Sequence, residues 1–298
     1  MDAGLTVQPQ GDGLVLRRMR LEDVEAAEQV SALAFDEHRQ DGSPGRDAER
    51  RELWNVRTAR AVQEDGPGCW VMERDGEVLG VATSIRRDTL WALSTWAVLP
   101  QWRGRGTGRP LLEASLSYAS GTLRRMVSSS ADPNAVRHYI RVGFDLHPQM
   151  TLHGQVDAVD LPRVDRVRDG HRSDLEWMTS LVRQARGAAH SASDHELLGA
   201  AGDLRVVDRA GRRGFAHLTH DGSIALLAAS DRRTANDLFV DALVQRHGQP
   251  FTQSHVTGAN QWALRTATAA GLQVSTQGYL GVAGLRPPQA YVHHGTLL

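Results

Sequence analysis

Residues 96–110 read Trp96-Ala97-Val98-Leu99-Pro100-Gln101-Trp102-Arg103-Gly104-Arg105-Gly106-Thr107-Gly108-Arg109-Pro110. An apolar run stops at a proline, three glycines alternate with basic or small residues, and Leu111 and Leu112 open a helical pattern. The reading is strand, tight loop, helix. Glycines let successive backbone N–H groups turn toward one anion with no side chain in the way. A helix start adds unpaired donors and a partial positive charge. Arg103, Arg105 and Arg109 add formal charge, and Pro110 fits a first helical turn, where its missing N–H costs nothing. Together these features select a pyrophosphate.

The kind of pyrophosphate follows from what is missing. There is no Gly-Lys-Ser/Thr, so the segment is not a nucleoside-triphosphate P-loop. A dinucleotide fingerprint lies in the first strand–helix turn of its domain and has an acidic residue about 20 residues later. This segment follows four predicted strands, and as far as residue 128 the only acid is Glu113, inside the helix. NAD and FAD are therefore disfavoured.

Working outward, residues 13–18 read as a strand, and 23–35 as a helix with Val24, Ala27, Val30 and Ala34 on one face. A polar loop over 36–46 leads to a second helix at 47–63. Asp75-Gly76 between apolar runs 69–73 and 78–85 is a hairpin signal. A strand over 89–98 precedes the loop, and a helix near 107–119 follows it. Then come a strand (125–130), a helix (133–142) and a last strand region (143–153). This order predicts an α/β fold of the α+β kind, a mixed and mostly antiparallel sheet flanked by helices. A linker is expected at 155–163.

Val98-Leu99-Pro100-Gln101-Trp102-Arg103-Gly104-Arg105-Gly106-Thr107-Gly108 closely resembles the acetyl-CoA loop of the GNAT N-acetyltransferase superfamily, Val-x-Pro-x-x-(Arg/Gln)-x-x-Gly-x-(Gly/Ala). Asp132-Pro133-Asn134-Ala135, followed by Tyr139 four residues before Gly143-Phe144, resembles that family's next motif. The resemblance covers residues 13–150. It implies that acetyl-CoA is the co-substrate and that residues 103–108 (Arg103, Gly104, Arg105, Gly106, Thr107, Gly108) hold its pyrophosphate. It also implies that the backbone of Trp96, Ala97 and Val98 pairs with the pantetheine arm like an added strand. Tyr139 matches the general acid that protonates the departing thiolate; the plain alternative is a packed core ring. Asn134 is assigned a cofactor contact. The family's usual Asn position falls on Asp132, for which a helix cap is the simpler role. The family's frequent Glu on the strand before the loop has no counterpart in Thr89–Thr95, which leaves water, Asp36, Glu37 or His38 to take the amine proton.

The second half repeats the first in order. Residues 70–76 match 205–211, and Thr107, Leu111 and Leu112 match Thr234, Leu238 and Phe239. Ala135 and Gly143-Phe144 match Ala263 and Gly271-Leu272, and Asp23-Val24 matches Asp174-Leu175. Two tandem GNAT-like domains are expected, 1–154 with the acetyl-CoA site and 155–298 degenerate, similar to the tandem GNAT proteins that include mycothiol synthase. Where the first copy has its glycine loop, the second has Ser230-Asp231-Arg232-Arg233-Thr234-Ala235, with no glycine and an added carboxylate. Where the first has Tyr139, the second has Ala267.

Composition narrows the partners. The net charge is −1, so nothing favours nucleic acid or an acidic membrane surface. All 34 basic residues are arginine, so no lysine can form a Schiff base. The single cysteine, Cys69, excludes an internal disulfide and reads as a small buried residue. His293-His294 alone makes a poor metal site, and no metal is expected. No apolar stretch approaches the ~20 residues that span a bilayer, and Met1-Asp2-Ala3-Gly4 lacks the pattern of a signal peptide. With these exclusions, the resemblance implies a cytoplasmic N-acetyltransferase, monomer or homodimer, acting on a primary amine of a small molecule. A non-catalytic CoA-binding sensor or scaffold and a protein N-acetyltransferase stay open beside it.

Overall fold

The computed structural model describes residues 8–10, 13–36 and 46–298. Glu37 and His38, the Asp36 side chain and the residues of the N-terminal reading lie outside that description. By packing, the chain divides into two units, 1–86 with 91–122 and 87–90 with 123–298.

In the first unit, β1 (Gln8–Pro9) and β2 (Val15–Arg18) precede two helices, α1 (Val24–Asp36) and α2 (Ala48–Glu64). The hairpin β3 (Trp70–Arg74) and β4 (Glu77–Arg87) turns on Asp75 and Gly76, both at positive φ as the Asp-Gly pair predicts. β5 (Leu90–Val98) and α3 (Gly108–Ser117) complete it. The strands lie side by side in the order β1-β2-β3-β4-β5. Leu16, Val71, Met72, Leu79, Leu111 and Leu112 are fully buried among them. Helix α3 presses onto this sheet where Gly80 has no side chain: a Cβ there would meet Leu111 Cδ1 at 2.7 Å and Ala97 O at 3.2 Å.

The second unit contains β6 (Arg124–Ser129), α4 (Pro133–Arg141) and β7 (Asp145–Gln155). These are followed by β8 (Arg168–Asp169), α5 (Leu175–Arg186), α6 (Ala192–Ala200), β9 (Leu204–Arg209), β10 (Arg212–Leu218) and β11 (Ile224–Ala229). Then come α7 (Arg232–Gln245), β12 (Pro250–Thr257), α8 (Gln261–Ala269), β13 (Gln273–Ala283) and β14 (Tyr291–Val292). One run of neighbours is β6-β13-β7-β12 and a separate sheet is β14-β11-β10-β9-β8. β13 is antiparallel to both β6 and β7 and lies between them. The expected linker is only partly one. Val156 and Asp157 bond Gln249 O and Ala270 O at 3.1 and 2.9 Å, and the chain from 158 to 167 carries no helix or strand.

The element order from β2 to β7 recurs from β8 to β13, strand for strand and helix for helix. The recurrence reaches single contacts. Arg17 grips Asp23 with two bonds of 2.7 and 2.8 Å while Asp23 accepts the Arg20 amide at 2.7 Å. Arg168 grips Asp174 at 3.0 and 2.8 Å while Asp174 accepts the His171 amide at 2.8 Å. Gly214 repeats Gly80: a Cβ there would meet Leu238 Cδ1 at 3.0 Å. Each carboxylate tethers the entry to a helix, so Asp23→Ala and Asp174→Ala are each expected to cost about 1–2 kcal/mol. Urea unfolding of the full chain measures this, and an unchanged midpoint would rule out the tethering role.

Candidate cofactor site

In the first unit, a single helical turn over Pro100–Trp102 carries β5 into the loop. Gly104 and Gly106 take φ of 73° and 81°, a region where most side chains are strained, and a Cβ at either would meet nothing within 4 Å. The loop face at these two residues is open. α3 begins at Gly108, and no side chain caps its N-terminus. Its first amides, which no helix can pair internally, therefore keep their donors available. Thr107 is 1% exposed, and its hydroxyl has no partner among the described residues. This group of donors, open on one face, fits an anion.

The side chains of the loop divide the work. The resemblance gives Trp96 a backbone role alone, but its indole Nε1 donates to Gly108 O at 3.0 Å and its ring comes within 3.3 Å of a Cβ placed at Gly108. It fixes the helix start from below. Ala97 and Val98 are buried strand residues. Arg103 turns inward, donating to Val98 O at 3.3 Å and to Ala34 O at 2.7 Å, so it ties the loop to the end of α1. Arg105 is exposed and lies over the Trp102 ring at 5.5 Å, as Arg74 does. Arg109 pairs with Glu113 at 2.7 Å on the surface. No local pattern in the sequence marks the Trp96 indole bond.

The corresponding helix end in the second unit is closed. Asp231 caps α7, accepting from Thr234 N at 2.9 Å and from Thr234 Oγ1 at 2.8 Å. A carboxylate of the chain stands where the first helix offers bare amides.

Asn134 and Tyr139 lie on α4, in the second unit. Asn134 is exposed, and its amide donates to the capping Asp132 carboxylate at 2.9 Å. Tyr139 is 5% exposed and meets Phe144 edge-on with ring centroids 6.0 Å apart. Burial pushes its phenol well above the ordinary range, against a hydrogen bond with Ser129. The phenol is therefore protonated at neutral pH. Phe144 N donates to Tyr139 O at 3.0 Å, as Leu272 N does to Ala267 O at 2.9 Å, which places Ala267 in register with Tyr139. Cys69 is fully buried, its thiol pushed up to about 12 chiefly by desolvation. His293 is buried beside His255, and no group of three His, Cys, Asp or Glu among the described residues forms a metal site. No described helix is long and apolar enough to cross a membrane.

Residues 28–144 match the family model described as acetyltransferase (GNAT) family. That stretch is similar to a GNAT acetyltransferase domain. The match takes in the loop, α4 and Gly143-Phe144, so both sequence motifs fall inside it. No protein of curated function matches the chain. Among solved structures, one from Pyrococcus horikoshii, provisionally assigned as an acetyltransferase, is similar with a TM-score of 0.75 at 15% identity, over 97% of each chain. A GCN5-related N-acetyltransferase from Kribbella flavida gives 0.60 at 16% identity, over 90% of this chain and 70% of that one. Another from Sphaerobacter thermophilus gives 0.59 at 15% identity, over 92% and 96%. At such identities the likeness is one of fold, and it extends well beyond residues 28–144.

Proposed function

We propose that the chain is a cytoplasmic N-acetyltransferase that moves an acetyl group from acetyl-CoA to a primary amine of a small molecule. The observation that carries this reading is the bare start of α3 behind the open face of Gly104 and Gly106, inside the stretch similar to a GNAT domain. On this reading, backbone donors of residues 103–108 hold the pyrophosphate, the Trp96–Val98 edge takes the pantetheine arm, and Asn134 adds a cofactor contact. When bound, acetyl-CoA supplies an activated thioester; the chain supplies position and a proton-bearing group.

Tyr139 is that group. Its buried phenol is a weaker acid than a free thiol of pKa about 8.5, so it acts by hydrogen-bonding the sulfur as charge develops there rather than by resting as a phenolate. Tyr139→Phe is expected to lower kcat about 10²–10⁴-fold with little change in the KM for acetyl-CoA. Thiol release from acetyl-CoA across a panel of amines measures it. A variant as fast as wild type would remove Tyr139 from the reaction. Β5 offers no acid beside the loop, which favours a CoA-binding sensor as the second reading; absence of thiol release with every amine, despite CoA binding, would select it.

We also infer that 1–154 and 155–298 are tandem copies of one GNAT-like domain, in the manner of mycothiol synthase. The repeated element order, the paired Arg17–Asp23 and Arg168–Asp174 grips and the Gly80 and Gly214 contacts support this. The second copy, with its helix end capped by Asp231, is the degenerate one.

A further inference from the structure

In the second unit, β11 pairs with β10 on one side and β14 on the other, and β12 is not its neighbour. Within the segment 288–298, residues 290–292 lie along β11. Leu227 is registered with Val292 and Ala228 with Tyr291, and Ala229 N donates to Ala290 O at 3.0 Å. On its other side the segment meets β12: the His293 ring lies 5.0 Å from that of His255, and a Cβ at Gly295 would come within 2.8 Å of the His255 ring. The segment therefore runs between two strands that do not pair with each other.

Buried side chains grip it through its backbone. Asn260, wholly buried, donates from Nδ2 to Pro288 O at 3.2 Å and accepts from Tyr291 N at 3.3 Å. Arg186, 1% exposed, donates to Leu297 O at 2.9 Å and also to Leu298 O. Tyr291 Oη donates to Leu298 O at 3.1 Å. Removing the segment would strip a buried guanidinium of two acceptors, a costly state for a buried charge.

By the repeat, β11 corresponds to β5 and residues 230–235 to the glycine loop. A free strand edge accepts an extended chain through backbone hydrogen bonds. We propose that segment 288–298 is an internal ligand of the second copy. It takes the edge of β11 that corresponds to the pantetheine edge of β5, while the Asp231 carboxylate takes the anion position at the helix start. The second copy is thereby closed, and the chain has one acyl-CoA site. This rests on the tandem reading, and its stoichiometry rests on CoA binding by the first copy.

Two measurements on the full chain test it. Hydrogen exchange should show the amides of 290–293 protected to the level of β10, and Asn260→Ala should speed their exchange at least tenfold. Exchange of 290–293 at unstructured rates in the wild type would overturn the proposal whether or not CoA binds. Calorimetric titration with CoA should give one site in the wild type and none in Gly106→Asp. Two sites in the wild type, with one of them persisting in Gly106→Asp, would overturn it. Binding to neither protein refutes the functional reading instead, and the exchange result then decides for or against the internal ligand.

Discussion

Gly106→Asp is expected to abolish stabilisation by acetyl-CoA and CoA. A ligand that binds only the native state at a hundredfold excess over its Kd contributes about 2.7 kcal/mol, a rise of roughly 5–10 °C in Tm for a domain of this size. Gly106 sits at φ 81° with open space beyond it, so a Cβ there meets nothing within 4 Å beyond its chain neighbours, and a side chain grows from the face proposed for the anion. Asp tolerates the left-handed region better than most residues, at a cost of about 1 kcal/mol. A carboxylate at that point repels a pyrophosphate. Gly106→Asn has the same shape and backbone strain without the charge, and should keep part of the response. NAD should shift none of the three proteins. An Asp variant stabilised as strongly as wild type would show that the loop is not the anion site, and a wild type indifferent to millimolar CoA would remove the acetyltransferase reading.

Acidification should destabilise the second unit well before its carboxylates titrate. Desolvation lowers His255 and His195 to about 4 and His217 to about 3, and holds His190 and His293 well below their ordinary range. His195 and His217 face each other at 3.1 Å, with Asp194, Arg186 and Arg87 the charged groups around them. Asp194 is already engaged by Arg87 at 2.8 and 2.9 Å. These histidines stay neutral in the folded chain while an unfolded chain protonates them near pH 6.5. The unfolded state then binds more protons, so stability falls as pH drops from about 6.5 toward 4 and levels off below the folded values. At pH 5 a histidine lowered to about 4 costs about 2 kcal/mol. The urea midpoint followed by Trp fluorescence should drop steeply between pH 7 and pH 5, and His217→Leu should flatten the slope. A midpoint independent of pH over that range would contradict the neutral, buried state of these rings.

Much of this molecule could be read from local pattern. The Asp75-Gly76 hairpin, both helices before it and the strand–loop–helix at 96–117 are set by residues close in sequence, where periodicity and turn chemistry decide the outcome. The loop was legible because positive φ at Gly104 and Gly106 demands glycine. The indole bond from Trp96 was not, since a tryptophan at a strand end has the same pattern whether it packs or donates. Arg103 illustrates the reverse. Its charge suggested the anion, but the nearer carbonyls of Val98 and Ala34 claimed the guanidinium. Least legible were the placement of β13 between β6 and β7 and of β14 beside β11. Pairing between strands so far apart in the chain leaves no local trace, because each strand shows only its own alternation. The repeat suggested two self-contained halves at 154/155, whereas by packing β6, α4 and β7 go with the second unit.

The insertion of β13 has a consequence for the order in which the protein is made. A ribosome that has released β7 has yet to produce the strand that separates it from β6, and more than a hundred residues of translation intervene. Until Gln273–Ala283 emerges, two strand edges of the motif-bearing half wait unpaired, which is where aggregation begins. The nascent first half therefore depends on the rest of its own chain arriving in time, and that duty falls on Gln273–Ala283 whatever residues occupy 230–235.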